Sequence, residues 1–159
     1  MKHLFVMTAL LALLPPAFAL DAACEPILKS SEAKLGQPAW HSVTESGGIK
    51  LEAIKVDGKF FMADDGKWKK SPMNLDEAEK IAIKMLQDGK IKVSDCKDEG
   101  SETLDGVEMN VLGYTTEIPG VPAVATKLYI GKDDGLPYKS TSDKTTATYQ
   151  YKGVVAPTL

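Results

Sequence analysis

The stretch ATKLYIGKDDGLPYKSTSD, residues 125–143, decides how this chain is read. Lys127, Tyr129 and Gly131 alternate with Thr126, Leu128 and Ile130, the period of two that sends successive side chains to opposite faces of a strand. Asp133, Asp134 and Gly135 form a turn, and Leu136 to Ser142 returns as a second strand. Outward on the carboxyl side, Asp143 and Lys144 turn the chain into a strand over Thr145 to Tyr151. On the amino side, Pro119 and Gly120 join the strand over Ala123 to Gly131 to one over Glu108 to Ile118. There Met109, Val111, Gly113 and Thr115 alternate with Asn110, Leu112, Tyr114 and Thr116. Further upstream, Lys90 to Cys96 and Thr103 to Val107 are strand-like, with a turn at Asp105 and Gly106. Connections this short join antiparallel neighbours.

The first half repeats the pattern more loosely. Ile49 to Val56 is rich in branched residues, Asp57 and Gly58 form a hairpin turn into Lys59 to Ala63, and Asp64, Asp65 and Gly66 turn again so that Trp68 returns on a short strand. The clearest helix runs from Leu75 to Asp88, with Asn74 as its N-cap, Glu77 placed for a capping box and Gly89 at the stop. Leu75, Ala78, Ile81, Ala82, Met85 and Leu86 form its expected apolar stripe. A shorter helix is expected from Cys24 to Leu35, halted by Gly36 and Pro38, and Trp40 and His41 follow in what reads as a polar loop. The fold class is therefore α+β: a curved, largely antiparallel sheet or incomplete β-barrel with two helices packed on one face.

Met1, Lys2 and His3, the apolar run Leu4 to Leu14, and Ala17, Phe18 and Ala19 read as a secretory signal peptide. The expected organisation is a leader over 1–19, one α+β domain over 20–156 and a terminal tail over 157–159, placing the protein in a periplasm or outside the cell. No integral membrane segment is expected after cleavage. The 159-residue chain carries no arginine, and cleavage leaves 18 lysines against 22 acidic residues, a net charge of −4. That balance, without the guanidinium fork that reads phosphates and base edges, excludes bulk nucleic-acid binding. Cys24 and Cys96 are the only cysteines, and an even pair in an oxidising compartment is most simply a disulfide. Lipidation of Cys24 is the competing use; it would leave Cys96 unpaired.

Catalytic signatures are weak. Asp64–Asp65 and Asp133–Asp134 lack the spacing of a calcium loop and read as strand turns. His41 is the only histidine after the leader, and neither H-E-x-x-H nor G-x-S-x-G occurs. No catalytic residue, metal ligand or cofactor is assigned. The aromatics are more informative: Trp68 with its neighbouring lysines can display an aromatic and amines at a ligand mouth or form a hairpin with a solvated lysine face, and Tyr129, Tyr138, Tyr149 and Tyr151 can frame an apolar cleft or serve cross-strand packing. Trp68, Tyr129 and Tyr138, together with Ile81, Met85, Leu112 and Leu128, are the candidate lining of a ligand cavity.

The segment from residue 125 to 143, above all Leu128 to Lys139, resembles the sheet region of periplasmic LolA-like lipoprotein carriers and related lipid-binding lipoproteins, with a looser correspondence from Ile49 to Tyr151. The resemblance implies an incomplete antiparallel barrel, helices over its concave side and an apolar cavity for acyl chains. It implies a passive binder of lipid or lipidated protein that needs no redox cofactor or catalytic metal. The expected function is an exported, non-enzymatic binding protein for a lipid, hydrophobic small molecule or lipidated partner. The alternative is a periplasmic structural or protein-interaction domain without a small-molecule ligand.

Overall fold

The computed structural model describes residues 20–159; the expected leader lies outside them. A single 3-10 turn at Ala22–Cys24 leads into helix α1, Glu25–Leu35, which carries proline in its first turn where no backbone donor is needed. Four strands follow as a meander: β1 Trp40–Ser46, β2 Ile49–Val56, β3 Lys59–Asp64 and β4 Lys67–Lys70. Helix α2, Leu75–Gln87, then leads to a second meander: β5 Lys92–Leu104, β6 Val107–Glu117, β7 Val124–Gly131, β8 Pro137–Thr141 and β9 Thr145–Gln150. The Asp57–Gly58, Asp65–Gly66 and Asp105–Gly106 turns all place both residues at positive φ, the geometry whose twist matches antiparallel strands.

The two meanders merge into one nine-stranded antiparallel sheet in the order β4-β3-β2-β1-β9-β8-β7-β6-β5, joined where β1 pairs with β9, Ser46 opposite Thr145. The sheet does not close: β4 and β5 remain its edges. Both helices pack on one face, held to it and to each other by the Cys24–Cys96 disulfide and by ion pairs. Cys24, Ile27, Leu112, Leu128 and Ile130 form the buried cluster under α1.

Four local expectations need correction. The segment holding Trp40 and His41 is strand β1 and not a loop; its polar residues show no clear alternation, and pairing on both sides with β2 and β9 supplies the order. β5 continues, with irregular pairing, through residues 97–102, which read as a gap because an exposed edge strand has no apolar face to reveal it. The buried stripe of α2 is shifted: Ile83 is its buried residue, Leu75, Ala82, Met85 and Leu86 are partly buried as expected, and Ala78 and Ile81 point outward. The N-cap holds, with Asn74 Oδ1 accepting from the backbone N–H groups of Asp76 and Glu77 at 3.0 and 3.2 Å. Glu77 itself turns away to Lys80, 2.7 Å, and does not complete a capping box.

Candidate functional site

Directly opposed residues in a sheet share a face, so the register assigns each candidate to a side. One row runs Trp68, Ala63, Glu52, Val43, Thr148, Lys139, Tyr129, Val111 across eight strands. This is the open face, away from both helices. The neighbouring row contains Ala147, Ser140, Leu128 and Leu112 and faces the helices. Leu112 and Leu128 therefore lie in the core under α1, while Tyr129 packs with Met109 and Val111 on the other side, with Val107 and Tyr138 against them. Trp68 meets His41, ring centroids 5.9 Å apart. Met85 is half-buried on α2, and Ile81 is 61% exposed. The seven expected cavity residues thus divide between two faces of the sheet and a helix exterior.

The open face carries a groove of about 810 Å³. Its floor is the side-chain row of β1, β8 and β9: His41, Val43, Lys139, Thr146, Thr148 and Gln150. Leu104 and Val107 from the β5–β6 hairpin form one wall, Tyr138 and Tyr151 another. Register shifts between Ser94 and Lys97 and between Asp98 and Ser101 mark irregularities in β5, where Asp95 and Gly100 take positive φ. Bulges of this kind bend and twist a strand, which brings the hairpin tip to a groove floored three strands away.

Tyr138 is positioned by what Gly131 lacks. A Cβ at Gly131 would lie 2.8 Å from Tyr138 Cε2 and closer still to the Asp134 carboxylate, so glycine is what lets the ring and the turn lie over the sheet. The Tyr138 hydroxyl donates to Asp134 Oδ2 at 2.7 Å, its ring meets Tyr151 edge-on at 5.4 Å, and the Tyr151 hydroxyl donates to the Pro137 carbonyl at 2.6 Å. Burial, with the hydrogen bond to Asp134 second, pushes the Tyr138 phenol up to about 12. Burial also raises Tyr151, aided by Tyr149 and Tyr138. Both are neutral donors near neutral pH, not phenolate bases. Lys139 Nζ lies 4.9 Å from the centre of the Tyr129 ring, giving the floor a cation fixed over an aromatic.

At the groove's other end His41 Nε2 is 2.8 Å from Glu52 Oε2, and Lys50 Nζ is 2.9 Å from Glu52 Oε1. Glu52 is the partner for His41 that sequence reasoning missed; the two are 11 residues apart and meet only because β1 pairs with β2. The Lys50 hydrogen bond, opposed by burial and reinforced by His41, holds the Glu52 carboxyl below its usual range. A depressed carboxyl stabilises the fold above its unfolded value, near 4.5, and that contribution is lost as pH falls through the lower folded value. Glu52→Gln is therefore expected to flatten the acid side of a stability-versus-pH curve below about pH 4.5, measured by urea unfolding; an unchanged slope removes this role. Among the described residues no group of three or more His, Cys, Asp or Glu side chains could hold a metal ion.

Under the helices the chemistry is different. Lys34 Nζ pairs with Glu79 at 2.7 Å and lies 5.7 and 5.1 Å from the Trp40 and Tyr149 ring centres. Lys55 Nζ pairs with Asp76 at 2.7 Å and donates to the Leu35 carbonyl at 3.3 Å. Beside the disulfide a pocket of about 390 Å³ is lined by Pro26, Cys96, Leu112 and Ile130 among others.

The sheet and its helices are similar in fold to the crystal structure of the Mycobacterium tuberculosis lipoprotein LppX, 16% identical, with 84% of this chain and 97% of that one aligned at a TM-score of 0.57. MucB aligns over 84% of this chain and 60% of its own at 17% identity and a TM-score of 0.46. A chain of the Pseudomonas aeruginosa MucA/MucB complex aligns over 84% of this chain and 58% of its own at 16% identity and the same TM-score. No protein-family model matches the sequence, and no curated protein matches it.

Proposed function

We propose that the protein is an exported, non-enzymatic binding module that holds an extended segment of a partner protein in the open-face groove. The observation that carries this is the contrast between the groove's floor and its walls. Thr146, Thr148, Gln150, His41 and Lys139 offer donors and acceptors along the floor, while Leu104, Val107, Tyr138 and Tyr151 offer apolar walls. A polypeptide satisfies both, through its backbone amides and its side chains. An acyl chain would strand the polar floor without partners, at a cost for each buried group. Export is supported by the leader-like amino terminus and by a disulfide suited to an oxidising compartment.

A lipid or a lipidated partner is the second reading. It is favoured by the apolar pocket beside Pro26, Leu112 and Ile130 on the helix face, which is where an acyl chain could be kept dry. The test selects peptides from a random displayed library and titrates the winners by calorimetry against the protein, Gly131→Val and Thr148→Val. Gly131→Val, which displaces Tyr138, is expected to weaken binding at least tenfold, and Thr148→Val severalfold, without loss of the folded spectrum. Failure to enrich any peptide, or equal affinity in both variants, overturns the groove reading. Native mass spectrometry of the detergent-free protein with palmitate then tests the pocket.

A further inference from the structure

The topology gathers the β1–β2, β6–β7 and β8–β9 loops at one end of the sheet. The β6–β7 connection there is unusual: residues 118–125, IPGVPAVA, which form it and open β7, are eight consecutive uncharged residues, all exposed. Val121 is 53% exposed and flanked by Ile118 and Val124, both also exposed. The loop is ordered by its own backbone, with the Val121 N–H donating to the Ile118 carbonyl at 3.0 Å, Pro119 at the first corner and Gly120 at φ +81 at the second. At the same end the start of β2, just after the β1–β2 turn, presents Ile49, 59% exposed, and Leu51.

We infer that this end of the sheet is a lipid-surface docking site, with the Ile118–Val124 loop and the Ile49 hairpin as its two apolar tips. The two loops lie four strand spacings apart, roughly 19 Å at the usual inter-strand distance. Apolar tips that project at such a separation suit a broad soft surface, whereas a protein pocket suits one buried anchor. The charges between them are balanced: Glu45 and Asp143 against Lys50 and Lys144. Attachment therefore depends on apolar insertion and not on anionic headgroups, and the paired prolines reduce the entropy lost when the loop is fixed.

The test is flotation of the purified protein with vesicles of phosphatidylethanolamine containing a minority of phosphatidylglycerol, at low and at high salt. The protein is expected to float in both, and Val121→Asp and Ile49→Asp each to lower the bound fraction about tenfold. Both positions are exposed, so equal melting temperatures confirm that folding is intact. Gly131→Val should float as the parent does, which separates this surface from the groove. A parent that stays at the bottom, variants that float equally well, or binding that disappears in high salt each overturns the inference.

Discussion

Loss of the Cys24–Cys96 bridge should lower the melting temperature by roughly 10 °C, equivalent to about 3–4 kcal/mol for a domain of this size. The bridge closes a loop of sequence separation 72, long enough to restrict the unfolded chain strongly in the entropic account. It also has a native-state role. Cys24 is buried at the start of α1 and Cys96 lies on β5, an edge strand whose following residues contribute almost nothing to the core. Without the bridge, that edge keeps its pairing to β6 but loses its covalent anchor to the helix layer. Thermal melts of Cys24→Ala/Cys96→Ala, and of the parent with and without reductant, measure the effect. A double variant that melts with the oxidised parent would show that Ile27 packing and the polar contacts of Lys34 and Leu35 hold α1 without the bridge.

Asp76→Ala should cost about 3–5 kcal/mol in urea unfolding because it strands a buried charge. Lys55 is only 7% exposed; its ammonium is held by Asp76 on α2 and by the Leu35 carbonyl at the end of α1. One lysine on β2 thus ties both helices to the sheet. Removing the carboxylate leaves the ammonium with one neutral acceptor among those partners. The double variant Lys55→Met/Asp76→Leu should recover most of the loss, since a well-packed apolar pair avoids desolvating two ions. A loss below about 1 kcal/mol for Asp76→Ala would mean that water reaches the pair and screens it as at an exposed site.

Much of the architecture was legible in residue order. The Asp-Gly turns at 57–58, 65–66 and 105–106 marked three hairpins, since their positive φ values need those residue types. Asn74 and Gly89 bracketed α2 through local backbone chemistry, with Gly89 at φ +69 and the Lys90 N–H returning to the Met85 carbonyl at 2.8 Å. Alternation around Tyr129 placed Leu128 and Tyr129 on opposite faces, which already separates them as linings of one cavity. The stripe on α2 differs from its apolar pattern because Ala78 and Ile81 are apolar yet point outward, while Glu79 on the inward side serves Lys34. Hydrophobicity marks a face only where apolar packing, and not an ion pair, holds the helix.

Local sequence determined most of the strands but not β1 or the middle of β5, together with the turns, the caps of α2 and the pair of cysteines, because each depends on conformational preferences within a few residues or on a composition that leaves one pairing. Tertiary structure alone decided that β1 joins β9, that His41 meets Glu52, that the β5–β6 tip reaches the groove beside Tyr138, and that the exposed loops share one end. These are contacts between distant segments. Their energies depend on register and on which face each strand turns to its neighbour, and no short window of sequence contains both partners.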